Sequence, residues 1–356
     1  MGVKNTMTAV IRAHAEQRYQ DQLHRLKAAD TALAPPGWAL SPGAVRRFIC
    51  GDTALDIPRK YYGEDALVER AIVSLMGNNG LMLVGEPGTA KSMLSELLSA
   101  AISGNSQYLI QGTAGTTEEQ LKYSWNFALL LSGGPSLEAL LKSPIYQAME
   151  QGKLARIEEI TRCPQEIQDV LISLMSEKSL SIPELGIAIQ AKPGFNLIAT
   201  ANLLDRGVND MSSALKRRFN FETVPVLKDP ALERQLILSQ VSQRLADEGQ
   251  DLKLDEALVD LLVQVFHDLR NNMGSQAMEA TLSTAEAVNI VHGCALHSLY
   301  WQQPMHAAQL VQQMHGTLIK DKADDVKKLA HYLDAVARDR PGWQDFFLAG
   351  KALWMR

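Results

Sequence analysis

Residues 81–92 read Leu81-Met82-Leu83-Val84-Gly85-Glu86-Pro87-Gly88-Thr89-Ala90-Lys91-Ser92, the most informative stretch of the chain. Four apolar residues in a row form a buried strand, a glycine-bearing turn follows, and Met93, Leu94, Leu97 and Leu98 mark the helix it opens into. Backbone N–H groups of such a loop can face a phosphate chain, and the free N–H groups and dipole of the helix start add to that attraction. Lys91 is placed to reach the β- and γ-phosphates, and the Ser92 hydroxyl to hold Mg²⁺. The residue before the lysine, usually glycine, is Ala90; read as the first residue of the helix, it tolerates a methyl group. The strand before and the helix after separate this reading from a chance match to a degenerate pattern.

Beyond this strand, four more apolar runs recur with helical segments between them: 107–110, 154–157, 196–200 and 221–224. Strands alternating with helices predict an α/β fold, a mostly parallel sheet covered on both faces. After Pro225 and Pro230 no strand pattern survives, only periodic helices such as Leu254-Leu258-Leu261-Leu262-Val265. The expected organisation is an N-terminal helical extension (1–56), an α/β nucleotide-binding domain (57–227) and an all-helical domain with its tail (228–356). A helix is expected from about Thr8 to Leu33, stopped by Pro35-Pro36-Gly37, either as a docking arm or packed on the core. The tail residues Trp343, Phe346, Phe347 and Trp354 either dock on the helical domain or present a partner-binding patch.

A phosphate loop alone binds nucleotide; hydrolysis needs a metal ligand and a group that positions water. Leu154-Ala155-Arg156-Ile157-Glu158-Glu159 is an apolar strand ending in two carboxylates. The first, Glu158, would hold Mg²⁺, usually through water, and the second, Glu159, would polarise the attacking water. Ile198-Ala199-Thr200-Ala201-Asn202 ends a strand in a carboxamide able to bond a γ-phosphate or the water, or else to satisfy the turn that follows. Lys216-Arg217-Arg218 is either a solvated basic cluster or the source of an arginine that reaches a neighbouring subunit's γ-phosphate.

At 356 residues the chain suffices for two domains with separate cores, and 46% apolar with 21% charged residues is the balance of a soluble globular protein. A net charge of −5 gives no push toward nucleic acid or anionic membrane. No apolar run reaches bilayer length, and Lys4, Arg12, His14 and Glu16 interrupt any signal-peptide core. Cys50, Cys163 and Cys294 are odd in number and far apart, fitting reduced thiols in a cytoplasmic protein.

Tyr62-Gly63-Glu64-Asp65 with Val68-Glu69-Arg70, Gly85 to Ser92, Glu158-Glu159-Ile160-Thr161-Arg162, Ala199-Thr200-Ala201-Asn202 and Leu215 to Phe219 together resemble the MoxR-type AAA+ ATPases, over roughly residues 57–291. The wording Gly207-Val208-Asn209-Asp210-Met211-Ser212 resembles the YehL-like branch. The resemblance implies a five-stranded parallel sheet in which the loop strand and the acidic strand flank the Asn202 strand, followed by a helical lid. It implies homo-hexameric rings with ATP and Mg²⁺ at subunit interfaces, Glu159 as base and Asn202 as the γ-phosphate sensor. Arg218 is then the first candidate for the arginine finger and Arg217 the second. Nucleotide would be held by Tyr62 and Gly63 at the adenine and by Gly85, Glu86, Pro87, Gly88, Thr89, Ala90, Lys91, Ser92 and Met93 at the phosphates. Two insertions fit the same branch: a helix-2 insert at about 114–151 and a pre-sensor-1 hairpin at about 179–195. Either could engage a substrate, or its apolar residues could pack on the subunit's own core. The lid helix expected near Ser275-Gln276-Ala277-Met278 lacks the arginine such lids carry; either Arg270 substitutes or lid coupling is weaker.

What the resemblance implies is an ATP-driven, chaperone-like remodeller or activator of partner proteins, often ones with von Willebrand A domains. Two other readings stay open. One is a nucleic-acid motor, against which the acidic balance argues; the other is a nucleotide-dependent assembly switch with little turnover.

Overall fold

The computed structural model describes residues 12–202, 209–273, 282–319 and 323–355. They divide into two units, one of residues up to 86 with 90–224 and one of residues 225–356 with 87–89. In the first unit the described strands are β1 (Gly80–Val84), β2 (Leu109–Gln111), β3 (Tyr123–Trp125), β4 (Leu140–Lys142), β5 (Leu154–Glu158), β6 (Ser179–Ile182), β7 (Ile187–Gln190), β8 (Asn196–Ala201) and β9 (Phe219–Thr223). Five of them form one parallel sheet in the order β2-β5-β8-β1-β9. The acidic strand β5 and the loop strand β1 therefore flank β8, which leads into Asn202. Pairing of Leu81 with Ile198 and of Ile157 with Ala199 brings the C-terminal ends of all three to one edge.

Alternation along the strands assigns the two faces. Leu81 and Leu83 join Val45, Phe48, Val68, Leu94 and Leu98 in one apolar cluster. Met82 and Val84 join Tyr146, Ile157, Leu171 and Leu197 in another. Burial on both sides is why these strands read as unbroken apolar runs rather than as alternating ones. The first face is covered by α1 (Ala15–Arg18), α2 (Gln20–Ala29), α3 (Pro42–Cys50), α4 (Asp65–Met76) and α5 (Lys91–Ser103).

The edge strands are displaced from their sequence-predicted spans. β2 covers 109–111 rather than 107–110, and β9 covers 219–223 rather than 221–224. An edge strand pairs on one side only, so its neighbour's register sets its ends more than its own apolar content does. The N-terminal helix is also shorter than expected: it breaks at Tyr19 (φ −112°, ψ 25°) and stops at Asp30, before the prolines. Asp30 turns outward because its carboxylate accepts Ser41 N–H at 2.7 Å and Ser41 Oγ–H at 2.6 Å, and Ser41 in turn caps α3. Residues 8–11 of the expected helix lie outside the described residues. Leu26 is fully buried and the Tyr19 ring meets Phe48 edge-on at 5.8 Å, so this segment packs into the core of the first unit.

Within 114–151, β3 and β4 pair antiparallel around the helix Phe127–Gly133, a strand pair not legible in the sequence. That helix buries none of its residues; Phe127 is 72% and Leu131 87% exposed. The second insertion is the expected hairpin, with Leu180 paired to Ile189. Its Leu180 and Ile182 pack on the subunit's own core while Ile187 stays exposed. Tyr123 Oη–H donates to the Glu184 carboxylate at 2.8 Å and ties the two insertions together.

The second unit is helical throughout its described residues: Pro230–Asp247, Glu256–Arg270, Thr284–Trp301, Ala307–Leu318, Ala323–Tyr332 and Gln344–Trp354, with a π turn at Leu333–Ala337. Asp229, Asp255 and Ser283 accept first-turn N–H groups and so start three of these helices. Phe346, Phe347 and Trp354 of the aromatic tail are buried with Leu262, Phe266 and Val291 in this unit's core.

Two outcomes test the packing of the N-terminal segment. Leu26→Ala is expected to lower stability by about 3 kcal/mol in urea unfolding, the cost of a cavity in a filled core. Lys60 is 5% exposed and donates to Phe48 O at 2.8 Å beneath the Tyr19 and Phe48 rings. Burial, with Arg25 nearby, pushes its ammonium down to about 7 from the usual 10.5. The unfolded chain then holds the extra proton between those two values, so stability rises with pH across that window. Melting temperature followed from pH 7 to 10 should rise more, or fall less, with pH in the native protein than in Lys60→Met.

Candidate active site

β1 delivers the chain to the C-terminal edge of the sheet, where the turn to α5 uses Gly88 at φ 76° and Ala90 at φ 69°. Ala90 is thus not the first helical residue, as its sequence position suggests, but the left-handed residue that caps α5. There a side-chain methyl costs roughly 1–2 kcal/mol of backbone strain. Glu86, Pro87 and Gly88 are exposed along the turn, and Gly85, Thr89 and Lys91 are half-buried. Lys91 Nζ donates back to Gly85 O at 2.9 Å and Glu86 O at 2.6 Å. Burial pulls its pKa down against the opposing pull of Glu158, Glu159 and Glu86, and the net shift is downward. The Met93 side chain packs against the apolar cluster behind α5, leaving only its backbone to face a phosphate.

Glu158 ends β5 with its side chain 6% exposed. Its Oε2 accepts Ser92 Oγ–H and Thr200 Oγ1–H, each at 2.6 Å. Its Oε1 accepts Ser95 Oγ–H at 2.6 Å and Arg156 Nη2–H at 2.8 Å. Desolvation raises the carboxyl pKa, but the three hydroxyls and Arg156 outweigh it and hold the group below its usual range. Ser95, Thr200 and Arg156 were absent from the sequence-derived site. Ser95 lies one turn after Ser92, a spacing that puts both hydroxyls on one helix face. The arginine carries no signal readable without the fold.

Glu159, the next residue, has the opposite surroundings. Its backbone is left-handed (φ 55°, ψ 45°), its N–H donates to Thr200 Oγ1 at 3.0 Å, and its side chain is 47% exposed and paired with Arg162. Strain of this kind, about 1–3 kcal/mol, persists only where neighbours over-determine it. Gly112 is one such neighbour: its N–H donates to Glu158 O at 2.7 Å, and a Cβ there would stand 2.5 Å from Glu159 O. Asn202 follows directly on β8 at the same edge and is half-buried.

Tyr62 is buried and Gly63 half-buried in a segment held by Arg59, which donates to Tyr61 O and Gly63 O, both at 2.7 Å. Arg217 and Arg218 lie at the other edge of the sheet. Phe219 pairs with Gly80 and Thr223 with Val84, so Arg218 sits about 13 Å or more from the loop at 3.3 Å per residue. That span exceeds the reach of an arginine side chain. Arg218 donates to Ser176 Oγ and Ala214 O, both at 2.6 Å, whereas Arg217 is exposed. In the helical unit, Arg270 is held bidentately by buried Glu233 at 2.7 and 2.8 Å and also donates to Leu282 O. These bonds leave no support for Arg270 as a substitute lid arginine; residues 275–278 lie outside the described residues.

Two family models match the chain: one described as an AAA domain of the dynein-related subfamily over residues 80–219, the other as the YehL-like AAA+ ATPase C-terminal domain over 231–355. The Escherichia coli protein YehL, itself uncharacterised, is 47% identical over 341 residues, covering 93% of this chain and 94% of that one. The Mycobacterium tuberculosis protein named chaperone MoxR1 is 26% identical over 253 residues, 67% of this chain and 63% of that protein. The crystal structure of NtrX from Brucella abortus shares the fold, with a TM-score of 0.51 and 13% identity over 81% of this chain and 64% of that one.

Gly112→Ala is expected to reduce any ATP turnover at least tenfold and to lower the melting temperature as well, because the added Cβ pushes on the Glu158–Glu159 backbone. Ala90→Gly should raise the melting temperature by a few degrees, since left-handed strain is relieved at a small entropic cost.

Proposed function

This chain belongs to the MoxR-type, YehL-like AAA+ ATPases, and from that membership we propose that it hydrolyses ATP at the Gly85–Ser92 loop to remodel or activate partner proteins. The observation that carries the chemistry is the division between two adjacent carboxylates. Glu158 has both oxygens engaged by four donors and cannot serve as a base. Glu159 is half-exposed, fixed through its backbone at the same edge, and its exposed pairing with Arg162 is worth little, so it can yield to a water. Glu159 therefore takes the proton of the attacking water, and Asn202 orients that water or the γ-phosphate.

The donor set suits a hard cation: Ser92 gives its hydroxyl hydrogen to Glu158, which leaves its lone pairs for Mg²⁺, with Glu158 behind it. The cation, when bound, neutralises charge on the phosphate oxygens. Lys91 supports the β- and γ-phosphates, the loop's N–H groups face them, and Tyr62 and Gly63 contact the adenine. Arg217 or Arg218, too far from the loop of their own chain, act on the nucleotide of a neighbouring copy in a homo-hexameric ring. Of the two, Arg217 is the more readily extended, because Arg218 is bonded to Ser176 and Ala214. Exposed Phe127, Leu131, Leu137 and Leu141 offer an apolar surface for a client chain. The likeness to a protein named as a chaperone supports a protein client; a partner with a von Willebrand A domain, met in the cytoplasm, is the client class we propose. A second reading, an assembly switch with little turnover, draws support from the engagement of Arg270 by Glu233.

Glu159→Gln separates the two readings. Steady-state hydrolysis should fall 10²–10⁴-fold, roughly the contribution of a general base, while ATP binding and ATP-dependent assembly persist by light scattering. Assembly of the native protein without measurable turnover supports the switch. Indifference of both proteins to ATP removes the site assignment.

A further inference from the structure

Arg156 stands two residues before Glu158 on β5, so both side chains leave the same face of the sheet. It is 5% exposed, and each of its three guanidinium nitrogens donates at least one hydrogen bond. Nε donates to Ser95 Oγ at 3.0 Å, Nη1 to Ser106 O at 3.1 Å, and Nη2 both to Ser92 O at 3.0 Å and to Glu158 Oε1 at 2.8 Å. One side chain thereby binds the first turn of α5, the segment entering β2, and the carboxylate that ends β5. A buried arginine in the middle of an apolar strand is costly unless its partner is fixed, and among the described residues its ionic partner is the metal-side carboxylate.

We propose that Arg156 is the resident countercharge of Glu158, a positioning residue that admits a divalent cation to Ser92 and Glu158 only together with nucleotide phosphates. This rests on the reading of Ser92 and Glu158 as the metal-side pair. A free dication approaching the loop meets a carboxylate whose charge is already matched and a guanidinium that repels it. The phosphates of a bound nucleotide supply the missing negative charge. The same guanidinium fixes Ser92 O and Glu158 relative to one another, which keeps the Ser92 hydroxyl hydrogen on Glu158 and its lone pairs free.

The test titrates Mn²⁺ into the full-length protein, with and without ADP, and counts bound ion by electron paramagnetic resonance. The native protein should bind Mn²⁺ with ADP and at least tenfold more weakly without it. Arg156→Met should bind Mn²⁺ without ADP at least tenfold more tightly than the native protein. Adding Glu158→Gln should abolish that gain, and Arg156→Lys, which keeps the charge, should not show it. Arg156→Gln answers the same question should the methionine variant fail to fold. If ADP recruits Mn²⁺ to the native protein but neither neutral variant gains ADP-independent binding, or if Arg156→Lys gains it as well, the proposal is overturned and the metal-site reading stands. If ADP recruits no Mn²⁺ to the native protein, the metal-site reading falls and the proposal with it.

Discussion

A carboxylate taken out of water must be given hydrogen bonds in return, and in this molecule that requirement organises the site. Glu158 draws Ser92 and Ser95 from the first turns of α5, Thr200 from β8 and Arg156 from its own strand. Three separate stretches of chain are thereby locked at one edge of the sheet. Replacing any single donor leaves an unmatched polar group in a closed space, a cost of about 1–3 kcal/mol. The network thus ties the start of α5, directly after the 85–90 turn, to β5 and β8.

The neighbouring carboxylate gains its exposure from the same arrangement. Because β5 alternates, Glu158 is turned inward, and the left-handed backbone at Glu159 carries the next side chain out toward solvent. Thr200 serves both, giving its hydrogen to Glu158 and accepting the Glu159 N–H. Two identical side chains thus receive a buried, fully bonded setting and a half-exposed one from backbone conformation and burial alone. Gly112 completes the arrangement by lying where no side chain fits.

The sequence revealed the parts whose signal is local. The apolar run 81–84, the loop after it, the paired carboxylates and the change to helical periodicity after 230 all follow from short-range patterns, and the family resemblance ordered the strands. Contacts made at long range were illegible. Arg156 looks like an interruption of an apolar strand until the fold brings Ser92, Ser95 and Ser106 around it. Ala90 looks like a helical residue because its composition says nothing of a positive φ. Asp30 ends α2 early for the sake of Ser41, and β3 and β4 are too short for an alternation to register.

In the proposed function a complete site needs two copies of the chain, with Glu159 from one and the arginine edge, about 13 Å or more from its own loop, from the other. The direct measurement is complementation by mixing. Glu159→Gln protein keeps its arginines, and Arg217→Ala/Arg218→Ala protein keeps its carboxylate; each should be inactive alone. Mixed with ATP, they should recover a substantial fraction of native turnover at the interfaces where an intact loop meets an intact arginine edge. A mixture no more active than the sum of its parts, or a double arginine variant with native turnover on its own, would contradict the account.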